Sequence, residues 1–468
     1  MKLKGLLVPL FSLPSRHGIG DFGKEAFQLV NILKKHHFNA WQMLPLNPVS
    51  YGHSPYQSVS SYAIEEIYIS LDDLHKRGLI GRIKSFEKDK EHLNYEDIRA
   101  MKERHSYRAY KNYVKKYGLR KINAFRKSHP KIDEYVKFVA LKELNSNVSW
   151  NEWKVFNSPL KKDKENYHSF MQMILLEEYE AVRAYANKNG ISIIGDLPFY
   201  VSFDSSDVYY HKERFMIEND APTCVSGVGP DAFSKEGQLW GNPIYNFEVL
   251  KSEGFKFWIE RLEHMYNLYD YVRIDHFRAF DTYYVIPAGM KDGSIGEWKE
   301  APGYECLDAI YKALPNIKLI AEDLGDLRPE VLVLRDHYNL PGMNVLHFMI
   351  DEVMESENGR VNDNLITYLG THDNQTSVTV FDSFAEAKIK EIREFFAKQG
   401  IVDENIVDAF IRFALKQNNA ILSIVDVLHL NDDYRLNEPN TISEKNWSFR
   451  MLDFKKLRKE LDRDVYAL

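Results

Sequence analysis

Short apolar runs that end in polar or charged residues recur along the chain of 468 residues. There are eight of them, at residues 5–10, 40–46, 191–197, 271–276, 317–323, 343–348, 365–373 and 420–427. Their short length and β-branched content are typical of buried parallel strands. Stretches with a helical pattern lie between them, at residues 23–35, 177–188, 255–267 and 384–398. Eight strands that alternate with helices predict an α/β fold of the (β/α)8 barrel type, and a larger doubly wound sheet is the alternative that this count leaves open.

The predicted strands are unevenly spaced along the chain. About 145 residues separate the second run from the third, far more than a parallel crossover needs. Most of this segment has a helical pattern, so we expect a helical insertion subdomain at residues 66–165. Residues 204–246 are rich in Gly, Pro and Asp, and we expect them to form an irregular loop subdomain over the barrel mouth. The whole chain, residues 1–468, is then one barrel with these additions and without a separate C-terminal β domain.

Composition narrows the class of protein. Hydrophobic residues make up 44% of the chain and charged residues 28%, as in soluble globular proteins. The net charge of −7 argues against a general polyanion binder. Residues 102–131 are strongly basic with interleaved tyrosines, and we interpret them as a solvated helical face rather than a nucleic-acid site. No binding to nucleic acid is therefore expected.

Cysteine content and hydropathy bear on the compartment. The chain contains only Cys224 and Cys306, which lack metal-type spacing and indicate a reduced, cytoplasmic protein. The N-terminal apolar run is short and interrupted by Pro9, so it is predicted to be the first strand rather than a signal peptide. No stretch approaches the ~18 apolar residues of a membrane span, so no membrane association is expected.

Four of the eight runs end with acidic residues, namely Asp196, Asp275, the pair 322–323 and Asp373. The C-terminal ends of barrel strands converge on one face, where active sites lie. Converging carboxylates repel one another and are costly to desolvate, so a metal ion or a developing positive charge is expected to use them. A single acid of this kind is more often a helix cap or an ion-pair partner. That explanation does not extend well to a set of four.

A metal site is the weaker of the two explanations. Neither H-E-x-x-H nor D-x-D-x-D-G spacing is present, and the neighbouring side chains include the cations of Arg273 and Arg278. We therefore expect no metal and no cofactor. Cleavage of a glycosidic bond fits better, because its oxocarbenium-like transition state needs one ionised carboxylate and one protonated acid.

The three acids differ in their sequence surroundings. Arg273 lies two residues before Asp275, and we expect it to lower the pKa of that carboxyl, as suits a nucleophile. Glu322 follows an apolar run, and its pKa is expected to be raised, as suits a general acid and base. Asp373 lies beside His372 and is expected to hold sugar hydroxyls and distort the ring.

Nine motifs occur in a fixed order and carry a resemblance to a known family. They are WQMLPLNP at 41–48, SPYQ at 54–57, GDLPFYV at 195–201, DSSDV at 204–208, FSKEGQLWGNP at 233–243, RIDHFR at 273–278, AEDLG at 321–325, LPGM at 340–343 and GTHDN at 370–374. In these motifs the chain resembles the 4-α-glucanotransferases called amylomaltases or disproportionating enzymes, which form glycoside hydrolase family 77 in the α-amylase clan. The resemblance covers essentially the whole chain and is weakest at 66–135 and after 376.

The resemblance implies a role for each matching position. Asp275 corresponds to the nucleophile that forms a covalent glycosyl-enzyme, Glu322 to the general acid and base, and Asp373 to the transition-state stabiliser. The implied substrate contacts are Tyr56, which stacks on the sugar, with Ser54 of the same motif; Asp196, Arg273 and His372 around that sugar; Trp240 and Asn242 on the acceptor-side loop; and Tyr51 at a second glucan site. Trp41 is expected to be barrel core.

The implied reaction transfers a segment of an α-1,4-glucan to the 4-hydroxyl of another glucan or of glucose by a retaining double displacement. The expected partners are α-1,4-glucans and maltooligosaccharides, and the expected oligomeric state is a monomer or dimer. Two alternatives stay open, an α-amylase-like hydrolase and a non-catalytic glucan-binding protein. The loops at 229–232 and 434–440 depart from the family pattern, which leaves donor length and product size open.

Overall fold

Eight parallel strands form the central sheet of the computed structural model, which describes residues 2–49, 52–230, 235–356, 359 and 361–467. In chain order they are Lys4–Leu7, Ala40–Gln42, Ser192–Pro198, Tyr271–Asp275, Leu319–Ala321, Gly342–Val345, Leu365–Tyr368 and Ala420–Ser423. Their spatial order is five, four, three, two, one, eight, seven, six. Neighbours in the sheet are thus neighbours along the chain, or the first and last strands. This is barrel order, and it excludes the doubly wound alternative.

The two edge strands of this sheet approach each other and nearly close the barrel. The amide of Ala321, at the end of the fifth strand, donates to the carbonyl of Pro341 at 2.8 Å. The amide of Met343 in the sixth strand donates to Asp323 Oδ1 at 2.7 Å. Each of the eight strands lies within or overlaps one predicted run, so the predicted barrel is confirmed. Trp41 is fully buried in the second strand and donates from Nε1 to the carbonyl of Val8, as expected of core.

Helices surround the barrel and fill the long connection between its second and third strands. Those of the long connection are Leu71–Lys76, Tyr95–Tyr117, Arg120–Ser128, Pro130–Leu144 and Lys161–Lys188. The others are Lys24–Lys35, Ser206–Tyr209, Phe247–Ser252, Lys256–Leu268, Gly303–Ala313, Pro329–His337, Leu346–Glu355, Ser377–Asp382, Glu386–Lys398, Ile406–Lys416, Ile424–Val427 and Lys455–Leu461. Among the described residues, no helix combines the length and apolar character that crossing a bilayer requires.

A second, antiparallel sheet lies beyond the C-terminal ends of the third and fourth barrel strands. Its strands are Glu297–Glu300, Thr282–Pro287, Cys224–Val228 and Gln238–Pro243, in that spatial order. The segment 204–246, expected to be irregular, therefore contributes two strands to a sheet. It also contains a small hairpin of Ile217–Glu218 with Ala221–Pro222. Alternating patterns this short are hidden among glycines and prolines, which is why the sequence did not reveal them.

A buried ion cluster joins the helices of the long connection. His168, whose side chain is 4% exposed, lies 2.9 Å from Glu66 Oε1 through Nδ1 and 3.0 Å from Glu143 Oε1 through Nε2. Burial opposes the charged ring, but the two carboxylates outweigh it and raise the pKa of His168 to about 10. Since this cation is held away from water, removing it takes one cation from Glu66 and leaves Glu143 with Lys164.

We predict that His168→Gln lowers the free energy of unfolding by about 3 kcal/mol at pH 6. The folded-state pKa lies above the unfolded value of about 6.5, so the contribution is complete below pH 6.5 and is lost as the pH rises toward 10. Urea unfolding of parent and variant at pH 6, 8 and 10 should show a difference that shrinks with pH. Lys162→Gln on the same helix serves as the control, because Lys162 is exposed and its partner Glu165 keeps Arg126, so stability should change by less than about 1 kcal/mol. A difference independent of pH would contradict the assignment.

Candidate active site

The strand ends bring the predicted carboxylates to one face of the barrel. In the paired fourth and fifth strands, Ala321 lies opposite Ile274, so the next residues, Asp275 and Glu322, leave the sheet side by side. The backbone continues this pairing, because the Glu322 amide donates to the Ile274 carbonyl at 3.1 Å. Asp373 reaches the same face from the loop after the seventh strand.

Arg273 is the cation around which these acids gather. Its guanidinium donates from Nη1 to both oxygens of Asp196, at 2.7 and 2.8 Å, and to Asp275 Oδ1 at 3.0 Å. The side chains of Arg273 and Asp196 are 5% and 0% exposed. Burial disfavours the charged guanidinium, but Asp196 and Asp275 outweigh it and raise the pKa of Arg273 well above its usual value. The cation is therefore permanent.

Asp275 is less acidic than its sequence context suggested. Burial raises the pKa of this carboxyl to about 6, although Arg273 acts in the opposite direction. The expected net lowering by Arg273 was wrong, because loss of hydration outweighs one cation that is shared with Asp196. The Asp275 side chain keeps 27% of its surface exposed, so it faces the open cleft rather than the core.

Glu322 has the raised pKa that was predicted for it. Burial brings the pKa to about 7, with Arg273 lowering it and the negative charge of Asp275 raising it. Its Oε2 accepts a hydrogen bond from the amide of His276 at 2.7 Å. His276 has the left-handed φ of +58°, rare for a residue with a Cβ, and this turn aims its amide at Glu322. Burial thus raises the pKa of both carboxyls, and the negative charge of Asp275 links the titration of Glu322 to its own.

Asp373 has a lowered pKa, in contrast to Asp275 and Glu322. Burial raises the pKa of this carboxyl, but His372, Asn437 and Arg273 outweigh it and lower the pKa to about 2. His372 Nε2 lies 3.4 Å from Asp373 Oδ2, and Asn437 Nδ2 donates to Oδ1 at 2.7 Å. Asp373 consequently stays ionised at any physiological pH, with 44% of its side chain exposed to the cleft.

Tyr56 forms an aromatic wall beside these carboxylates. Its ring stacks on His372 with centroids 5.1 Å apart and planes at 12°, and its hydroxyl donates to Asp196 Oδ2 at 2.7 Å. Ser54 accepts the Tyr56 amide through its hydroxyl at 3.3 Å, which shapes the turn that presents the ring. Tyr51 lies outside the described residues.

Trp240 and Asn242 come from the strand Gln238–Pro243 of the small sheet. The indole of Trp240 meets the ring of His276 edge to face, with centroids 4.7 Å apart, so it stands over the turn that follows Asp275. Asn242 is buried, and its Nδ2 donates to the carbonyl of Val201 at 3.1 Å. In this structure Asn242 thus ties the strand to the barrel, while Trp240 reaches the cleft.

Four residues of the site were not predicted as contacts from the sequence. His276 supplies the amide to Glu322, Arg435 and Asn437 hold Asp373, and the Trp447 ring lies 5.8 Å from Tyr56 and 5.9 Å from His372. The run 435–437 was noticed only as a departure from the family pattern. No local signal singled out Trp447. Within the described ranges, no group of three or more His, Cys, Asp or Glu side chains has the arrangement of a metal site.

Comparison with known proteins gives a consistent match. The model of glycoside hydrolase family 77, described as 4-alpha-glucanotransferase, matches residues 8–455. The 4-alpha-glucanotransferase of Streptococcus pneumoniae serotype 4 is 35% identical over 472 residues, which cover 96% of this chain and 93% of that protein. The Thermus thermophilus 4-alpha-glucanotransferase is 35% identical over 476 residues, covering 96% and 94%.

A solved relative has nearly the same fold. The amylomaltase of Streptococcus agalactiae, determined in complex with acarbose, superimposes with a TM-score of 0.92 at 31% identity over 99% of this chain and 98% of that one. The amylomaltase of Corynebacterium glutamicum superimposes with a TM-score of 0.79 at 16% identity over 100% of this chain and 74% of that one, which bears on the fold alone.

We predict that Arg273→Met lowers the free energy of unfolding by about 3–5 kcal/mol, because it leaves the fully buried Asp196 without its cation. Adding Asp196→Asn should restore part of the loss by removing the uncompensated charge. Denaturant unfolding of the single and double variants measures both effects. Lys390→Met, which alters an exposed lysine, is the control and should stay near the parent. A single variant as stable as the parent, or a double variant with a lower free energy of unfolding than the single variant, would argue against a central role for the Arg273 cation.

Proposed function

We propose, from the premise that this chain belongs to the 4-alpha-glucanotransferase family, that Asp275, Glu322 and Asp373 carry its transfer reaction. The activity of the chain is transfer between α-1,4-glucans. One observation supports the assignment of roles above the others. Asp275 and Glu322 end neighbouring strands side by side, both with raised pKa values, and they share a cleft with the ionised Asp373. A retaining glycosidase needs one carboxylic acid and one carboxylate nucleophile at such a site.

In the first step, Glu322 protonates the glycosidic oxygen while Asp275 attacks the anomeric carbon. The bond from that carbon to the leaving oxygen breaks as the bond to Asp275 forms, and the reducing-end fragment departs. Arg273 holds Asp275 at Oδ1, which leaves Oδ2 as the attacking atom. A retaining mechanism requires the two carboxyls to lie about 5–5.5 Å apart, and this spacing stays a prediction.

In the second step, the 4-hydroxyl of an acceptor glucan attacks the same carbon. Glu322, now ionised, takes the proton of that hydroxyl, and Asp275 leaves as a carboxylate. Positive charge develops on the sugar in both steps, and the ionised Asp373 stabilises it. The ring of Tyr56, held by His372 and Asp196, offers a flat apolar surface to the sugar.

Transfer exceeds hydrolysis only when the acceptor hydroxyl outcompetes water at about 55 M. Oriented groups reach effective molarities of ~10⁵ M and above, so a bound acceptor is sufficient. Trp240 stands over the turn after Asp275 and is suited to exclude water from the covalent intermediate. The α-amylase-like hydrolase is the second candidate, and the assignments of the curated relatives do not favour it.

The proposal also covers the substrates and the organisation of the chain. The substrates are α-1,4-glucans and maltooligosaccharides. The segment 204–246 forms the mouth of the barrel, and residues 66–165 form an inserted subdomain. A cytoplasmic location is supported by two free thiols, Cys224 and Cys306. The basic run 102–131 does not form an open basic surface throughout, because Lys102 is buried against Asp21. We therefore propose that the chain has no nucleic-acid partner. We also propose that it has no membrane partner and that it is a monomer or a dimer.

Incubation of the pure protein with maltotriose tests transfer against hydrolysis. We expect a ladder of longer oligomers together with glucose, at a constant number of reducing ends.

Asp275→Asn should lower the rate by roughly 10⁴-fold or more, with little loss of stability, because it removes the nucleophile from an electrostatically strained site. A rise in reducing ends would favour the hydrolase, and near-normal activity of Asp275→Asn would remove this residue from the mechanism.

The pH dependence of kcat/KM tests the division of roles. Asp275 must be ionised, so activity should rise as the pH passes about 6, and Glu322 must be protonated, so activity should fall above about 7. We expect a narrow bell with its maximum between these values. The two limbs belong to the coupled pair rather than to single residues. A profile flat from pH 5 to 9 in a rate limited by chemistry would contradict the assignment.

A further inference from the structure

The segment 435–447, here called the clamp, contacts the site at both of its ends. At its start, Arg435 Nη2 donates to the carbonyl of Asp373 at 2.6 Å, and Asn437 Nδ2 donates to the Asp373 carboxylate at 2.7 Å. At its end, the Trp447 ring packs beside Tyr56 and His372. One short segment therefore supports both the ionised carboxylate and the aromatic wall.

We propose that Asn437 is a positioning residue for the reaction, because its side-chain amide fixes the Asp373 carboxylate in the rotation that faces the sugar. This inference rests on the proposed function, in which Asp373 stabilises the transition state. Asn437 donates a hydrogen bond to Oδ1, whereas His372 Nε2 lies 3.4 Å from Oδ2 and acts on it electrostatically. Asn437 therefore supplies a directional hydrogen bond to the carboxylate, while the exposed side of the carboxylate keeps acceptor sites for sugar hydroxyls.

Asn437 is itself held in place by contacts that do not involve the substrate. Arg435 donates from Nε to the Asn437 carbonyl at 2.6 Å and from Nη2 to the Asp373 carbonyl, so one planar guanidinium fixes the two backbones relative to each other. A carboxylate held from a fixed backbone needs no reorganisation when charge develops on the sugar. Free rotation about the Asp373 side chain would remove that advantage.

The clamp is strained where it meets the aromatic wall. Trp447 is 3% exposed and has a φ of +60°, a left-handed conformation that is unusual for a bulky residue. Its carbonyl accepts the Tyr95 hydroxyl at 2.7 Å, and its amide donates to the Leu436 carbonyl at 2.6 Å. Surrounding contacts thus hold a conformation that local preference disfavours, as is common where a segment serves a site.

Two substitutions at the same position separate positioning from mere stability. Asn437→Ala removes the donor, and we expect kcat to fall roughly 10- to 100-fold with KM for maltotriose changed less than about 3-fold. Asn437→Asp keeps the shape but places a second carboxylate against Asp373, and like charges raise the pKa of such a pair. The ionised form of Asp373 is thereby disfavoured and its donor is lost, so kcat at pH 7 should fall at least as far as in Asn437→Ala, again with KM changed little.

The matched control is Lys445→Ala, which removes an exposed ion pair to Asp433 from the same segment without touching Asp373. It should keep the parent kcat and pH profile. The inference is overturned if Asn437→Ala keeps kcat within 2-fold, or if both Asn437 variants lose activity only in proportion to a lowered melting temperature. Asp373→Asn, measured alongside, separates this failure from that of the proposed function. An active Asp373→Asn would refute the role of Asp373 itself, whereas an inactive one with a normal Asn437→Ala would refute only the positioning.

Discussion

The guanidinium of Arg273 is the interaction on which the site depends. A barrel gathers the ends of its strands in one place, so acids at those ends must share a region of low dielectric. Arg273 lies within that region and contacts Asp196 and Asp275 at once. Without it, Asp196, which is entirely withdrawn from water, would have no cation in contact with its charge. The substrate cleft can therefore be acidic because the floor beneath it contains a permanent positive charge.

The surroundings of the three carboxyls give them different pKa values. Asp275 and Glu322 lose hydration, and the charge of Arg273 offsets this loss only in part, so their pKa values rise to about 6 and about 7. Burial raises the pKa of Asp373 as well, but His372 and Asn437 stabilise its charge and hold the pKa at about 2. Glutamate and aspartate differ little in water, so the contrast comes from neighbours. In the proposed function, these groups serve as the acid, the nucleophile and the stabilising charge of one cleft.

The supporting elements come from distant parts of the chain. The small sheet carries Trp240 against His276, the loop at 52–57 carries Tyr56, and the segment 435–447 contacts Asp373. The barrel supplies rigid positions for the carboxylates, and the additions determine their orientation and access to water.

The sequence by itself determined the eight strands, the burial of Trp41 and the acids at the strand ends, and it favoured a barrel, which the spatial order of the strands then decided against a doubly wound sheet. These follow from local rules, since period, β-branching and the place where an apolar run stops are written in consecutive residues. The tertiary structure alone decided the net pKa of Asp275, the left-handed turn at His276, and the meeting of Asp373 with Asn437, which lies 64 positions away. Desolvation and long-range hydrogen bonds depend on how whole elements pack, and no local pattern of side chains encodes the sum of those contacts.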